Sequence, residues 1–240
     1  MTYCVGLLLN EGMVMLSDTR TNAGLDNISS YRKMFYFEEP GERVICILTA
    51  GSLSVTQTTL ARLRDAIVAP DASETTSILK APTMLKVAHI IGDTMAAVRR
   101  EVDEKMPQGE GVTASMIVGG QRCGGEMRLF LIYPEGNFIE ATEDTPFLQI
   151  GEHKYGKPIL DRVIKPTTTL DDGQKAVLLS MDSTLRSNLS VGMPLDLCVI
   201  ERDACKVTLR RRIEAGDASF RAMSEAWGRA LRDGFMQITL

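Results

Sequence analysis

Hydrophobic positions in the first fifty residues come in consecutive runs rather than in alternation. Thr2–Leu9 and Met13–Asp18 flank Asn10-Glu11-Gly12, and Lys33–Glu38 and Val44–Ala50 flank Glu39-Pro40-Gly41-Glu42. Apolar runs broken by short Asn, Pro and Gly turns predict two hairpins. A half-exposed strand alternates in polarity, so unbroken runs predict strands covered on both faces. The period then changes. Ser52 to about Ile67 reads as one helix and about Thr83 to Met106 as a second. In the second, Leu85, Ala88, Ile91, Met95, Val98, Val102 and Met106 stand three or four apart and form one stripe, with Pro82 just ahead of the first turn.

The chain returns to strands at Ala114–Gly119, Met127–Tyr133, Asn137–Ala141 and Phe147–Ile150, joined by Gly-rich and Pro-Glu-Gly turns. Helical stretches follow at about Lys157–Val163 and about Asp171–Leu185. Leu195–Glu201 and Lys206–Arg212 complete the strands. Ala218 to Asp233 closes as an amphipathic helix with Phe220, Met223, Trp227 and Leu231 on one face. Groups of strands that alternate with pairs of helices predict two stacked sheets with helices outside, an α+β fold. No internal repeat or linker divides residues 1–240, which read as a single domain.

Composition narrows the function classes. The net charge is -4 with both signs interspersed, which argues against a phosphate-binding surface and so against nucleic acid. Val5–Leu9 is too short for a secretory apolar segment, and Val44–Ala61 carries too many Thr, Ser and Gln for a membrane span. The five cysteines are irregularly spaced and form no CxxC, so they read as reduced thiols in a cytoplasmic protein. With two histidines, His89 and His153, and no metal-ligand spacing, neither a metal nor another cofactor is expected. Arg210-Arg211-Arg212 reads as a solvated charge run at a strand end, and Cys4 as core.

Chemistry gathers at three places: Thr2 at the start, Asp18 in Ser17-Asp18-Thr19-Arg20 at the end of the second strand, and Lys33 opening the third. Each has an ordinary reading on its own, as a chance residue, a turn carboxylate and a surface base. Together with Thr49-Ala50-Gly51 and the strand–helix order, they resemble the N-terminal-nucleophile hydrolases. The resemblance is to proteasome-type β subunits, and among those to Anbu, the bacterial ancestral-beta-subunit family. It covers essentially the whole chain, more loosely in the second half.

The resemblance implies a four-layer αββα sandwich and a threonine peptidase. Once Met1 is removed, Thr2 carries a free α-amine beside its hydroxyl. That amine, with an ordinary pKa of roughly 7.7–8.0, acts as the base. Lys33 would favour the alkoxide, Asp18 would hold Lys33, and the Gly51 N–H would receive the oxyanion. With Met1 retained, the amine is tied up in a peptide bond. Ser190 matches a further family Ser.

Two positions depart from the family. Glu152, in Ile150-Gly151-Glu152-His153, stands where relatives carry a Ser that bonds the terminal amine, and a carboxylate there would raise the amine's pKa. Ser187 stands where relatives carry an Asp, and Asp182 is the nearest compensating carboxylate. Thr21, Tyr31, Thr49 and Leu53 match side-chain-pocket positions. The implied partners are further copies of the chain, in a ring or an open spiral, peptide or unfolded-protein substrates, and an ATP-dependent unfoldase. The departures leave open a catalytically silent scaffold of the same fold, and the fold itself leaves open a small-molecule amidase or acylase.

Overall fold

A computed structural model describes residues 1–22, 28–105 and 112–239. The two predicted hairpins form: β1 (Tyr3–Leu9) pairs with β2 (Gly12–Asp18), and β5 (Met34–Glu39) with β6 (Arg43–Gly51). Between them the sequence predicts only a polar loop. The structure has a short ladder there, β3 (Arg20–Asn22) against β4 (Ile28–Ser30). Helices α1 (Leu53–Val68) and α2 (Met84–Lys105) follow. Then come β7 (Ala114–Arg122), β8 (Arg128–Ile132), β9 (Phe138–Glu140) and β10 (Phe147–Gly151). The chain continues through α3 (Lys157–Val163), α4 (Leu170–Ser187), β11 (Leu195–Glu201), β12 (Leu209–Ile213) and α5 (Ala218–Gln237). Met106, placed by periodicity at the end of the second helix, lies outside the described residues.

The long strands make two antiparallel five-stranded sheets, ordered β10-β1-β2-β11-β12 and β5-β6-β7-β8-β9. Alternation along each strand explains the unbroken apolar runs. In β1 and β2, Tyr3, Val5, Leu7, Val14 and Leu16 point to an outer core shared with Leu160, Val177 and Met181 of α3 and α4. Cys4, Met13 and Met15 point the other way, into a core between the sheets, and meet Cys46, Leu48, Ile117 and Leu129. On the far face of the second sheet, Ile45 and Ile47 pack against Val55, Leu60 and Leu63 of α1 and Val87, Ile91 and Met95 of α2. Three apolar cores thus separate four layers, helices–sheet–sheet–helices.

Helix starts follow their caps. The Ser52 hydroxyl accepts from the Val55 N–H, Thr169 from Asp172, and Asp217 from Phe220. The stripe on α2 is rotated slightly from the expected one: Met84 and Val87 are buried while Leu85 is 37% exposed. The last helix runs to Gln237, past the expected stop at Asp233. The arginine run lies inside β12, not at a strand end. Each arginine is paired, Arg210 with Glu38, Arg211 with Asp217 and Arg212 with Asp196. Charges on such an edge strand discourage pairing with another chain.

The cysteine reading needs correction. Cys123 and Cys205 form a disulfide across 82 residues of sequence, with Cα atoms 5.8 Å apart, while Cys4, Cys46 and Cys198 are free and buried. The end of β7 meets the turn after β11 there. The Gln121 amide donates to Asp203 Oδ1 at 2.6 Å and its oxygen accepts the Asp203 N–H at 2.8 Å. No local spacing announces that contact. No helix among the described residues is long and apolar enough to cross a membrane.

Candidate active site

Thr2 enters the first sheet between the ends of two neighbouring strands. The β1–β2 register sets Cys4 opposite Ser17, which brings the Tyr3 N–H to Asp18 Oδ1 at 3.1 Å. On the other side Tyr3 pairs with Gly151, and the Glu152 N–H donates to the Thr2 carbonyl at 2.7 Å. Gly151 has φ +82°, and a Cβ there would lie 1.9 Å from the Thr2 carbonyl oxygen. Only glycine allows that approach. Thr2 is consequently 8% exposed although it stands second in the chain.

Asp18, the last residue of β2, is fully buried, and Lys33, just ahead of β5, nearly so. Lys33 Nζ donates to Asp18 Oδ1 at 2.7 Å and to the Arg20 carbonyl at 2.6 Å. Asp18 Oδ2 also accepts the Gly192 N–H at 3.3 Å. Burial pushes the Asp18 carboxyl above its ordinary value, while Lys33 and the Tyr3 and Gly192 N–H groups pull it back. The pair ties the two sheets together, since Asp18 belongs to one and Lys33 leads into the other.

The second sheet supplies the rest of the wall. β6 runs to Gly51, whose φ is +95° and whose place leaves no room for a Cβ beside the Thr113 carbonyl. Ser52 then caps α1, so the positive end of that helix dipole faces the same corner. A cavity of about 350 Å³ results. Its walls include Met1, Thr2, Lys33, Gly51 and Glu152, together with Thr21, Thr49, Leu53 and Thr56.

Five residues near these stretches of sequence are not among the cavity's lining residues. Tyr31 is not among the lining residues; its backbone N–H bonds the Thr19 carbonyl at 2.8 Å and its ring is 41% exposed. Ser187 is exposed at the end of α4. Asp182 turns to Arg186 one helical turn on, at 3.2 Å. Ser190 approaches only through its backbone N–H, which donates to Asn188 Oδ1 at 2.9 Å. His153 is exposed, its ring beside the Gly151 carbonyl.

Asn188, one residue past Ser187, is what the sequence reading missed. It is buried at the C-cap of α4, and its Nδ2 lies 3.2 Å from Glu152 Oε2 and 3.7 Å from Met1 Sδ. Asn at a helix end is an ordinary stop signal, and its spacing carries no hint of a site. Thr56, one turn into α1, was missed as well.

Neighbouring nucleophiles are held neutral. Burial drives the Cys4 thiol well up, and the thiol donates to the Thr49 carbonyl. Burial pushes the Tyr3 phenol up to about 12, against hydrogen bonds from Ser180 and Gln149. Among the described residues no cluster of His, Cys, Asp and Glu is placed to hold a metal ion.

A family model described as "Proteasome subunit" matches residues 2–200. Among solved structures, the chain is similar to an Anbu (Gly-1) mutant from Hyphomicrobium sp. strain MC1. The two share 48% identity at a TM-score of 0.94, over 100% of this chain and 99% of that one. Anbu from Yersinia bercovieri shares 41% identity at a TM-score of 0.92, over 99% and 98%. The helical assembly of the Anbu complex from Pseudomonas aeruginosa shares 41% at 0.93, over 99% and 97%. Among curated protein sequences none matches.

Proposed function

Since the chain belongs to the proteasome subunit family, and within it to Anbu, we propose that it is a threonine peptidase that cleaves peptide bonds through an acyl-enzyme on Thr2. The observation that carries this reading is the buried Lys33–Asp18 pair, whose lysine lines the cavity that Thr2 shares. Burying two charges costs several kcal/mol per ion before their attraction offsets it, so the pair is a costly way to hold two sheets together. It makes sense as a fixed positive charge beside a hydroxyl that must lose a proton.

The chemistry runs from the chain's own groups. Removal of Met1 frees the Thr2 amine. That amine takes the hydroxyl proton as Oγ attacks the substrate carbonyl. The Gly51 N–H, at the mouth of α1, stabilises the oxyanion. The amine returns its proton to the departing amine of the substrate, and water then attacks the ester by the same base. Thr21, Thr49 and Leu53 supply a medium pocket of mixed polarity for the side chain before the scissile bond. Residues 1–240 form one peptidase domain in this reading. Self-assembly completes it: Leu231, Phe235, Met236 and Ile238 are more than half exposed at the end of α5, an apolar surface suited to another copy. Expected substrates are peptides or unfolded segments.

Hydrolysis of a fluorogenic peptide panel by the chain starting at Thr2, beside a Thr2→Ala variant, tests the proposal. Turnover at least about a thousandfold above the variant is expected, as for loss of a nucleophile. Equal rates would favour the second reading, a silent scaffold, whose support is the carboxylate of Glu152 on the cavity wall.

A further inference from the structure

We propose that Asn188 is a positioning residue that holds the Glu152 carboxylate against the α-amine Thr2 exposes once Met1 is gone. The backbone of Glu152 is already tied to Thr2, through its N–H to the Thr2 carbonyl at 2.7 Å across the Gly151 turn. Its side chain is not fixed by that bond. Among the described residues Glu152 has no ion-pair partner, and Asn188 Nδ2, at 3.2 Å, is the group that anchors its carboxylate.

Asn188 can do this because its own orientation is determined twice. Its backbone N–H donates to the Thr184 carbonyl at 2.9 Å, closing α4. Its Oδ1 accepts the Ser190 N–H at 2.9 Å. With the oxygen engaged, the amide nitrogen must turn to the opposite side, toward Glu152 and the Met1 sulfur. The loop that follows is also pinned. Arg20 Nη1 donates to the Leu189 carbonyl at 2.8 Å, and the Gly192 N–H donates to Asp18.

The other charged groups around the terminus have partners or face away. Lys33 donates to Asp18 and to the Arg20 carbonyl. Asp182 pairs with Arg186, and the exposed His153 ring lies beside the Gly151 carbonyl. The C-terminal end of the α4 dipole adds partial negative charge next to Asn188. The corner that Met1 now fills therefore favours a cation. The ammonium of Thr2 is the cation that removal of Met1 places there. Asn188 thus keeps the amine protonated at neutral pH, where it cannot take the hydroxyl proton, and defers its use to alkaline solution. Without that hold, the half-buried carboxylate would swing into water, where screening weakens its pull.

The inference requires only that Thr2 begin the chain, and its test does not depend on turnover. The protein is released with Thr2 first by cleavage of an N-terminal ubiquitin-like fusion. The α-amine is titrated by trace acetylation with acetic anhydride across pH, read on the N-terminal peptide by mass spectrometry. The expected midpoint lies above the ordinary α-amine range. Glu152→Gln lowers it by about one pH unit, Asn188→Ala lowers it in the same direction, and the double variant matches Glu152→Gln alone. Asn188→Asp keeps the oxygen for the Ser190 N–H but withdraws the donor and sets a like charge beside Glu152, so Glu152→Gln shifts the midpoint less in that background than in the native chain; it decides the matter if the Ala variant does not fold. A Glu152→Gln effect that is unchanged in Asn188→Asp, or in a folded Asn188→Ala, overturns the role. Failure of the peptidase reading is separable, because it shows as absent turnover with these titration shifts in place.

Discussion

The two sides of Thr2 are built differently. Toward the second sheet, Lys33 and Asp18 are buried, and both Asp18 oxygens accept hydrogen bonds from main-chain N–H groups or Lys33. Toward α4, Glu152 is half-buried and held by one bond of 3.2 Å. The first side is set where strands begin and end, Asp18 closing β2 and Lys33 standing just ahead of β5, and the stacking of the two sheets brings them together. The second depends on a turn and a helix terminus, which can vary without disturbing the sheets. In the reading proposed above, the side that would activate the hydroxyl can stay fixed while the side facing the amine is re-tuned.

Lys33→Ala should break this contrast most severely. It strands Asp18 as a buried, unpaired carboxylate, with an expected loss of about 3–5 kcal/mol in denaturant unfolding and loss of reaction at Thr2. A Lys33→Ala chain with unchanged stability would show the pair to be structurally idle. Gly151→Ala comes next, because its Cβ would collide with the Thr2 carbonyl at a positive φ. About 1–3 kcal/mol of destabilisation is expected, with a slowed reaction at Thr2 in whatever fraction folds.

A smaller effect concerns pH. The folded Asp18 carboxyl is raised, so the folded chain holds its proton more tightly than the unfolded one. That contribution is full below the ordinary carboxylate pKa and is lost as pH rises through the raised one. Asp18→Asn should therefore flatten the stability–pH curve above about pH 4; an identical slope would contradict the burial. Smallest of all, Ser187→Ala should change stability by less than about 0.5 kcal/mol and leave reactivity unaltered, since the residue is exposed.

The same contrast explains what could be read from the sequence. Thr2, Asp18, Lys33 and Gly51 all stand at strand boundaries, where apolar runs stop, and the two hairpins and four layers follow from those runs. Tyr31 follows the short β3–β4 ladder that stands where only a loop is expected, and its ring is 41% exposed. Asn188 was passed over in favour of Ser187 and Asp182, because which residue at the end of a helix turns inward depends on tertiary contacts with the β10 turn. The Cys123–Cys205 link escaped for the same reason, joining turns from two sheets.

The most direct measurement of the central claim is intact mass after incubation with a peptide epoxyketone, which needs a free α-amine and a hydroxyl on one residue to close its ring. The chain beginning at Thr2 should gain one adduct, while the Met1-retaining chain and Thr2→Ala should gain none. A Thr2-first chain, folded by circular dichroism, that remains unmodified from neutral to alkaline pH would contradict it.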